Sequence, residues 1–261
     1  IITEFPATPV QPDSVNAFVL HDDKAFSFNS VRAKIKRFVQ RLACRRADVV
    51  ITVSGAMQKK IIAHLGDSIE VICSYNGVSD IWFEPSLSQS EKKFDFVYVS
   101  NFVHHKRHMF LINCLGQLPF RFCFVGRDFG TKEVVSKKIT QGRHDCTIMS
   151  DLTEAELIEL VDSSHIVVFP SAFEGFGMPV IEAAARGRHV LCSGLPCFKE
   201  LSTLTPFITI IEDAEDSYRR AIISRLAETY QPSEPQAELR NTFSWENIAR
   251  KLLSDLEIYY D

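Results

Sequence analysis

The chain has 261 residues, 46% hydrophobic and 24% charged, a balance that fits one large or two modest globular domains. A net charge of -4 gives no global basic surface for nucleic acid, and no apolar stretch reaches the roughly 18–20 residues of a membrane-spanning helix. Seven scattered cysteines without a Cys-x-x-Cys pair argue against a disulfide framework or a zinc site and read as reduced thiols of a cytoplasmic protein. The first residue is Ile1 and no leader-like segment follows it, so the chain is expected to begin partway into a longer protein.

In chain order, strands are expected at 17–20, 49–53, 71–74, 94–100, 121–125, 146–149, 165–169, 189–192 and 207–211. Many are near-continuous Val, Ile and Phe runs, the pattern of strands buried on both faces of a parallel sheet. The segment 31–47 reads as a helix, with Ile35, Phe38, Val39 and Leu42 at i, i+3, i+4 and i+7. Arg32, Lys34, Lys36, Arg37, Arg41, Arg45 and Arg46 fill its other faces, and are read as a solvated face over a packed apolar stripe. The alternative is a peripheral contact of this basic helix with anionic lipid at the inner membrane face. Thr153-Glu-Ala-Glu156 is a capping-box sequence opening a helix over 153–163. A further helix is expected over 179–186, ending at Gly187.

Strands alternating with helices define an α/β, doubly wound class. A boundary is expected within 76–90, where Asn76-Gly77, Pro85 and a Ser/Gln/Glu-rich stretch break the pattern. Residues 1–80 hold room for two or three strands, a partial domain. Residues 81–261 suffice for a complete Rossmann-like domain.

The strand His165-Ile-Val-Val-Phe169 runs through Pro170-Ser171 into Glu174-Gly-Phe-Gly-Met-Pro-Val-Ile-Glu182. Ligands gather at the carboxyl ends of strands in open parallel sheets. Gly175 and Gly177 permit close backbone approach, and Pro179 suits the first helical position, leaving free amides directed back at the glycines. Such a helix start is an anion site suited to a diphosphate. Glu174 is placed in the loop and Glu182 in the first helical turn.

This segment resembles the signature of glycosyltransferase family 4 (group 1), the retaining GT-B enzymes. The similarity extends over residues 15–261. Ser74-Tyr-Asn-Gly-Val78, Phe96-Val-Tyr-Val-Ser100 with Lys106, Phe124-Val-Gly126, Leu152-Thr-x-x-Glu-Leu157 and Phe243-Ser-Trp245 follow in the family's order. The resemblance implies a GT-B-like fold: a complete C-terminal Rossmann-like domain with a parallel sheet, a remnant of the N-terminal one, and a terminal helix that packs back. It implies transfer of a hexosyl group from a nucleotide diphosphate sugar to a saccharide or lipid-linked acceptor, with retention, in polysaccharide or glycolipid biosynthesis.

On this resemblance Glu174 contacts the transferred sugar and Glu182 the ribose, while amides around Phe176, Gly177 and Met178, with Val180 close by, line the sugar–diphosphate pocket. Lys106 neutralises the diphosphate. Asn101 stands where the family usually has Arg, a loss for which Arg107 would substitute, and Gly126 lies in the donor loop after the second strand. His21, in His21-Asp22 after the strand 17–20, would face the donor sugar from the acceptor side.

No carboxylate pair suits a double displacement, so front-face departure is expected, with the enzyme stabilising charge on the phosphates. No metal or other cofactor is expected: His104, His105 and His108 match no zinc spacing and read as a solvated basic loop. Phe122-Cys-Phe-Val-Gly-Arg-Asp-Phe-Gly130 lacks the dinucleotide fingerprint, which argues against a dehydrogenase. Two alternatives stand beside the transferase: a non-catalytic nucleotide-sugar-binding module, and a nucleotide-sugar epimerase.

Overall fold

The computed structural model describes residues 2–4, 14–22, 24–27, 30–66, 69–85, 92–116, 118–228 and 236–258. They form two compact units. The first comprises Ile1–Gly77, Glu174–Phe176 and Thr242–Asp261, and the second Val78–Phe173 and Gly177–Asn241. Part of the expected boundary stretch, residues 86–90, lies outside the described residues.

The first unit begins with β1 (Ile2–Thr3), β2 (Ala17–Leu20), α1 (Lys24–Ser27), α2 (Val31–Cys44), β3 (Val49–Thr52), α3 (Gly55–Leu65) and β4 (Glu70–Cys73). The strands pair in parallel in the order β1-β2-β3-β4, with Ala17 opposite Val49 and Val49 opposite Glu70. Each residue of β3 is buried, as an interior parallel strand requires.

The second unit is an alternating series of β5 (Phe94–Val99), α4 (His108–Leu115), β6 (Arg121–Val125), α5 (Lys132–Gly142), β7 (Asp145–Met149), α6 (Glu154–Asp162), β8 (Ser164–Phe169), α7 (Met178–Ala185), β9 (His189–Ser193), α8 (Pro196–Ser202), β10 (Ile208–Ile211) and α9 (Glu215–Ala227). Its six strands are all parallel, ordered β10-β9-β8-β5-β6-β7. The chain winds outward from β5 to β6 and β7, then returns to β8 on the other side. The gap between β5 and β8 is therefore the topological switch point, where the connecting segments diverge and leave a crevice. Phe96, Tyr98, Phe122, Phe124, Val167, Val168 and Phe169 are fully buried at the sheet centre.

The chain then forms α10 (Ala237–Phe243) and α11 (Trp245–Glu257), the latter capped by Ser244, whose hydroxyl accepts from Asn247 N. Leu256 joins Ala17, Val49 and Ile51 in one buried cluster and Leu252 packs against it, so the last helix completes the first unit's core.

Nine expected strands are present with ends shifted by at most one residue, whereas β1, two residues long, was not anticipated. The capping box at Thr153 is formed in both directions: its hydroxyl accepts from Glu156 N at 3.3 Å and Glu156 Oε2 accepts from Thr153 N at 2.8 Å. Two helix readings are corrected. Helix α7 starts at Met178, with Gly177 in a left-handed cap conformation (φ 101°), so Pro179 is second and Glu182 lies beyond the first turn.

Helix α2 ends at Cys44, and its apolar stripe faces away from the core: Val31, Ile35 and Phe38 are 74%, 61% and 69% exposed, and Val39 and Leu42 are exposed with them. The inward face is instead Gln40, Ala43 and Cys44, small or polar residues whose backbones can approach their neighbours closely.

Candidate functional site

In the second unit the loops after β5, β6 and β8 are locked together at the switch point. Ser100 N donates to Val125 O at 2.7 Å and Phe102 N to Arg127 O at 2.8 Å. Gly126 is obligatory in this arrangement, since a Cβ there would lie 2.1 Å from Ser100 O. Asn101 Oδ1 accepts from Arg127 N at 3.1 Å, so its carboxamide oxygen brackets two loops, leaving its NH2 group as the part available to a ligand.

Tyr98 reaches the ends of both central strands. Its hydroxyl lies 2.6 Å from Lys106 O and 3.2 Å from Ser171 Oγ, while Ala172 N donates to His105 O at 2.8 Å. These bonds hold Lys106 at the carboxyl end of β8, with its ammonium 5.6 Å from the Phe169 ring centroid. Arg107 has a left-handed backbone (φ 59°), and its guanidinium pairs with Asp213 and sits 3.9 Å from the Phe110 ring centroid. That directs it toward β10.

The start of α7 borders the same crevice. A Cβ on Gly177 would meet Phe198 Cε1 at 2.3 Å, so this left-handed position excludes larger residues on two grounds. Val180 N donates to Gly177 O at 3.0 Å, which removes that amide from ligand binding. The amides of Gly177 and Met178 have no acceptor within the helix. The Val180 side chain is wholly buried and supports the turn from beneath.

Glu182 is largely buried, and its carboxyl is pushed up to about 7, first by desolvation and then by the charge of Glu154 at the start of α6. Glu154 is held by Trp82 Nε1 at 2.9 Å. Neither Glu154 nor this repulsion was foreseen from sequence, since nothing in the local pattern around Glu154 distinguishes it from an ordinary first-turn acid.

In the first unit, Glu174–Phe176 meets the end of β2. A Cβ on Gly175 would lie 2.2 Å from His21 O. Ser54 Oγ donates to Gly175 O at 2.9 Å while accepting from Met57 N at 3.2 Å, tying the segment to the start of α3. Phe176 is 3% exposed, with Tyr75 and Phe243 ring centroids at 5.7 and 6.0 Å. Glu174 and His21 thus share this unit. The His21 imidazole Nε2 is 2.7 Å from Glu4 Oε1, and both side chains are about half exposed.

The histidine-loop reading needs one correction. His108 is 2% exposed rather than solvated, packed on the rings of Phe102 (4.5 Å) and Tyr98 (4.7 Å), and burial pushes its imidazole down to about 4. A neutral imidazole in that place acts as an aromatic core residue. All seven cysteines are free thiols.

Two parallel α/β units, with glycine-forced loops and a helix start gathered at a switch point, define the class as a GT-B-type, Rossmann-like glycosyltransferase fold. The chain belongs to the glycosyl transferases group 1 family, whose model matches residues 80–232, more than half of its length. It is 23% identical over 296 residues to serotype-specific mannosyltransferase WbdA of Escherichia coli, covering 97% of this chain and 36% of that protein. It is 27% identical over 210 residues to O-antigen chain mannosyltransferase RfbU of Salmonella typhimurium, covering 78% of this chain and 58% of that one. The chain thus spans about a third to just over half of these curated relatives.

Among solved structures, sucrose-phosphate synthase from Thermosynechococcus elongatus aligns with a TM-score of 0.79 at 17% identity, covering 94% of this chain and 68% of that one. Anabaena HepE in complex with UDP-glucose aligns with a TM-score of 0.78 at 22% identity, covering 93% and 72%. These likenesses establish the shared fold.

Proposed function

We propose that the chain carries the donor-binding part of a retaining hexosyltransferase that takes a nucleotide diphosphate sugar and acts in surface-polysaccharide synthesis. The observation that supports this reading is that Lys106, the Gly126 loop and the start of α7 follow β5, β6 and β8, the strands that adjoin the switch point. A cation and helix-start amides suit a diphosphate, and a buried carboxylate suits a ribose diol. Mannosyl transfer is the first donor class to test, because WbdA and RfbU are named mannosyltransferases.

In this mechanism the leaving diphosphate is the main site of developing charge. Lys106 and the α7 amides stabilise it, which is electrostatic catalysis by preorganised donors. Asn101 contributes its NH2 and Arg107 a more distant positive charge. Glu174 and His21 are assigned, on the family resemblance, to hydroxyls of the transferred sugar. The acceptor is a saccharide or a lipid-linked glycan.

Incubation with GDP-mannose or UDP-glucose and mono- and disaccharide acceptors tests the proposal. The expected outcome is nucleoside diphosphate release with a product of the donor's anomeric configuration, and Glu174→Ala should slow transfer far more than it weakens donor binding. An inverted product, or unchanged transfer by the variant, refutes the assigned mechanism.

The reversed face of α2 supports an extension. Five exposed apolar side chains run along a helix that has five Arg or Lys residues and no acid. That combination favours the surface of an anionic bilayer, where apolar residues enter the interface and bases meet lipid headgroups. We propose this face as a peripheral membrane contact on the cytoplasmic side.

A further inference from the structure

A cavity of about 370 Å³ opens in the second unit at the carboxyl ends of β8, β9 and β10. It is within the size range of small-ligand sites. Its lining carries charges of both signs: Arg107, paired with Asp213, together with Lys199 and Glu212. Leu195 and Ile210 supply an apolar surface between them.

Arg107 is anchored there with unusual firmness. A non-glycine residue in the left-handed region persists only where its surroundings hold it, and such positions concentrate at functional sites. Asp213 fixes its guanidinium from one side and Phe110 from below, with the Phe110 ring in turn edge-on to Tyr218 at 5.5 Å. The Tyr218 phenol is entirely buried beside Ser193. Lys199, by contrast, is exposed, and its ammonium makes no ion pair within 4.0 Å among the described residues.

The mixed signs select the ligand. A phosphate in this cavity would meet two carboxylates, and Arg107 is already paired with Asp213, so its attraction to the cations would be offset. A sugar hydroxyl both donates and accepts, so neighbouring hydroxyls can each bridge a cation and a carboxylate. The C–H face of a pyranose suits Leu195 and Ile210. We propose that this cavity is a saccharide subsite that binds a hexose of the acceptor glycan. Only the word acceptor rests on the transferase reading; the saccharide chemistry rests on the cavity.

The test is a set of amide-resolved NMR titrations of the whole chain with mannobiose, maltose, inorganic phosphate and UDP, repeated on Lys199→Ala. The expected result is that at least one disaccharide moves the Gly194, Leu195 and Asp213 amides saturably. Phosphate should not, and Lys199→Ala should weaken the disaccharide at least about tenfold while its melting temperature stays unchanged. Movement of those amides by phosphate alone, no response to either disaccharide, or an undiminished response in the variant overturns the subsite. UDP is read separately at Asn101 and Gly126: failure there refutes the donor reading and leaves the subsite standing.

Discussion

Glu182→Gln is the substitution whose outcome follows most directly from the structure. The Glu182 carboxyl is lifted from 4.5 to about 7 by burial and by Glu154. Each pKa unit corresponds to about 1.4 kcal/mol, so the shift amounts to about 3 kcal/mol. Between pH 4.5 and 7 the folded chain holds a proton that the unfolded chain has lost. The Glu182 contribution is therefore most favourable below pH 4.5 and declines as pH rises, until above pH 7 the full cost of the buried charge is borne.

Glutamine keeps the shape of the protonated acid and removes that decline. Urea unfolding followed by circular dichroism should show the two proteins alike near pH 5 and the variant more stable at pH 8 by up to about 3 kcal/mol. The gain should come with a loss, because a ribose diol bound to an ionised carboxylate makes charge-assisted hydrogen bonds worth about 1.5–3 kcal/mol. Nucleoside diphosphate affinity should thus fall by roughly ten- to a hundredfold. A variant equally or less stable than the parent at both pH values would refute the assignment of a charge held against desolvation.

Four further outcomes are expected. Asp162, 4% exposed and bonded to Arg186 and Arg188, should cost about 3–5 kcal/mol when replaced by Ala, because two guanidinium groups are left buried without their counter-ion; calorimetric unfolding measures this. Gly126→Ala forces a Cβ toward Ser100 O and should destabilise by about 1–3 kcal/mol and weaken nucleotide binding, both readable by thermal shift with and without UDP. His108 is held neutral with its imidazole near 4, so its contribution is present above pH 6.5 and fades as pH falls toward 4; His108→Phe should flatten that part of the stability–pH curve. Replacing Ile35 and Phe38 by Ser should change stability by less than about 0.5 kcal/mol each while reducing sedimentation with vesicles containing anionic phosphatidylglycerol. A fall in melting temperature with vesicle binding intact would instead make the stripe a packing surface.

The sheet was legible because its strands are buried on both faces and so read as continuous apolar runs, as in β3 and β8. The loop after β8 was legible because the left-handed Gly177 and the helix-opening Pro179 answer local backbone demands. What lay hidden depended on partners distant in sequence. The α2 periodicity identified a helix and its stripe but not which face turned inward, since Gln40, Ala43 and Cys44 carry no apolar signal strong enough to mark a core side. The environment of Glu182 required Glu154 from another helix, and the anchoring of Arg107 required Asp213 after the last strand. His108 looked like part of a basic loop because its neighbours in sequence are basic. Its neighbours in space are Phe102, Tyr98 and Phe124.

Calorimetric titration of the chain with UDP and GDP, alongside Lys106→Ala, tests the donor site most directly. Saturable binding of at least one nucleotide at one site per chain is predicted, weakened at least tenfold in the variant. Binding of neither nucleotide, or binding indifferent to Lys106, contradicts a donor site at the switch point between β5 and β8.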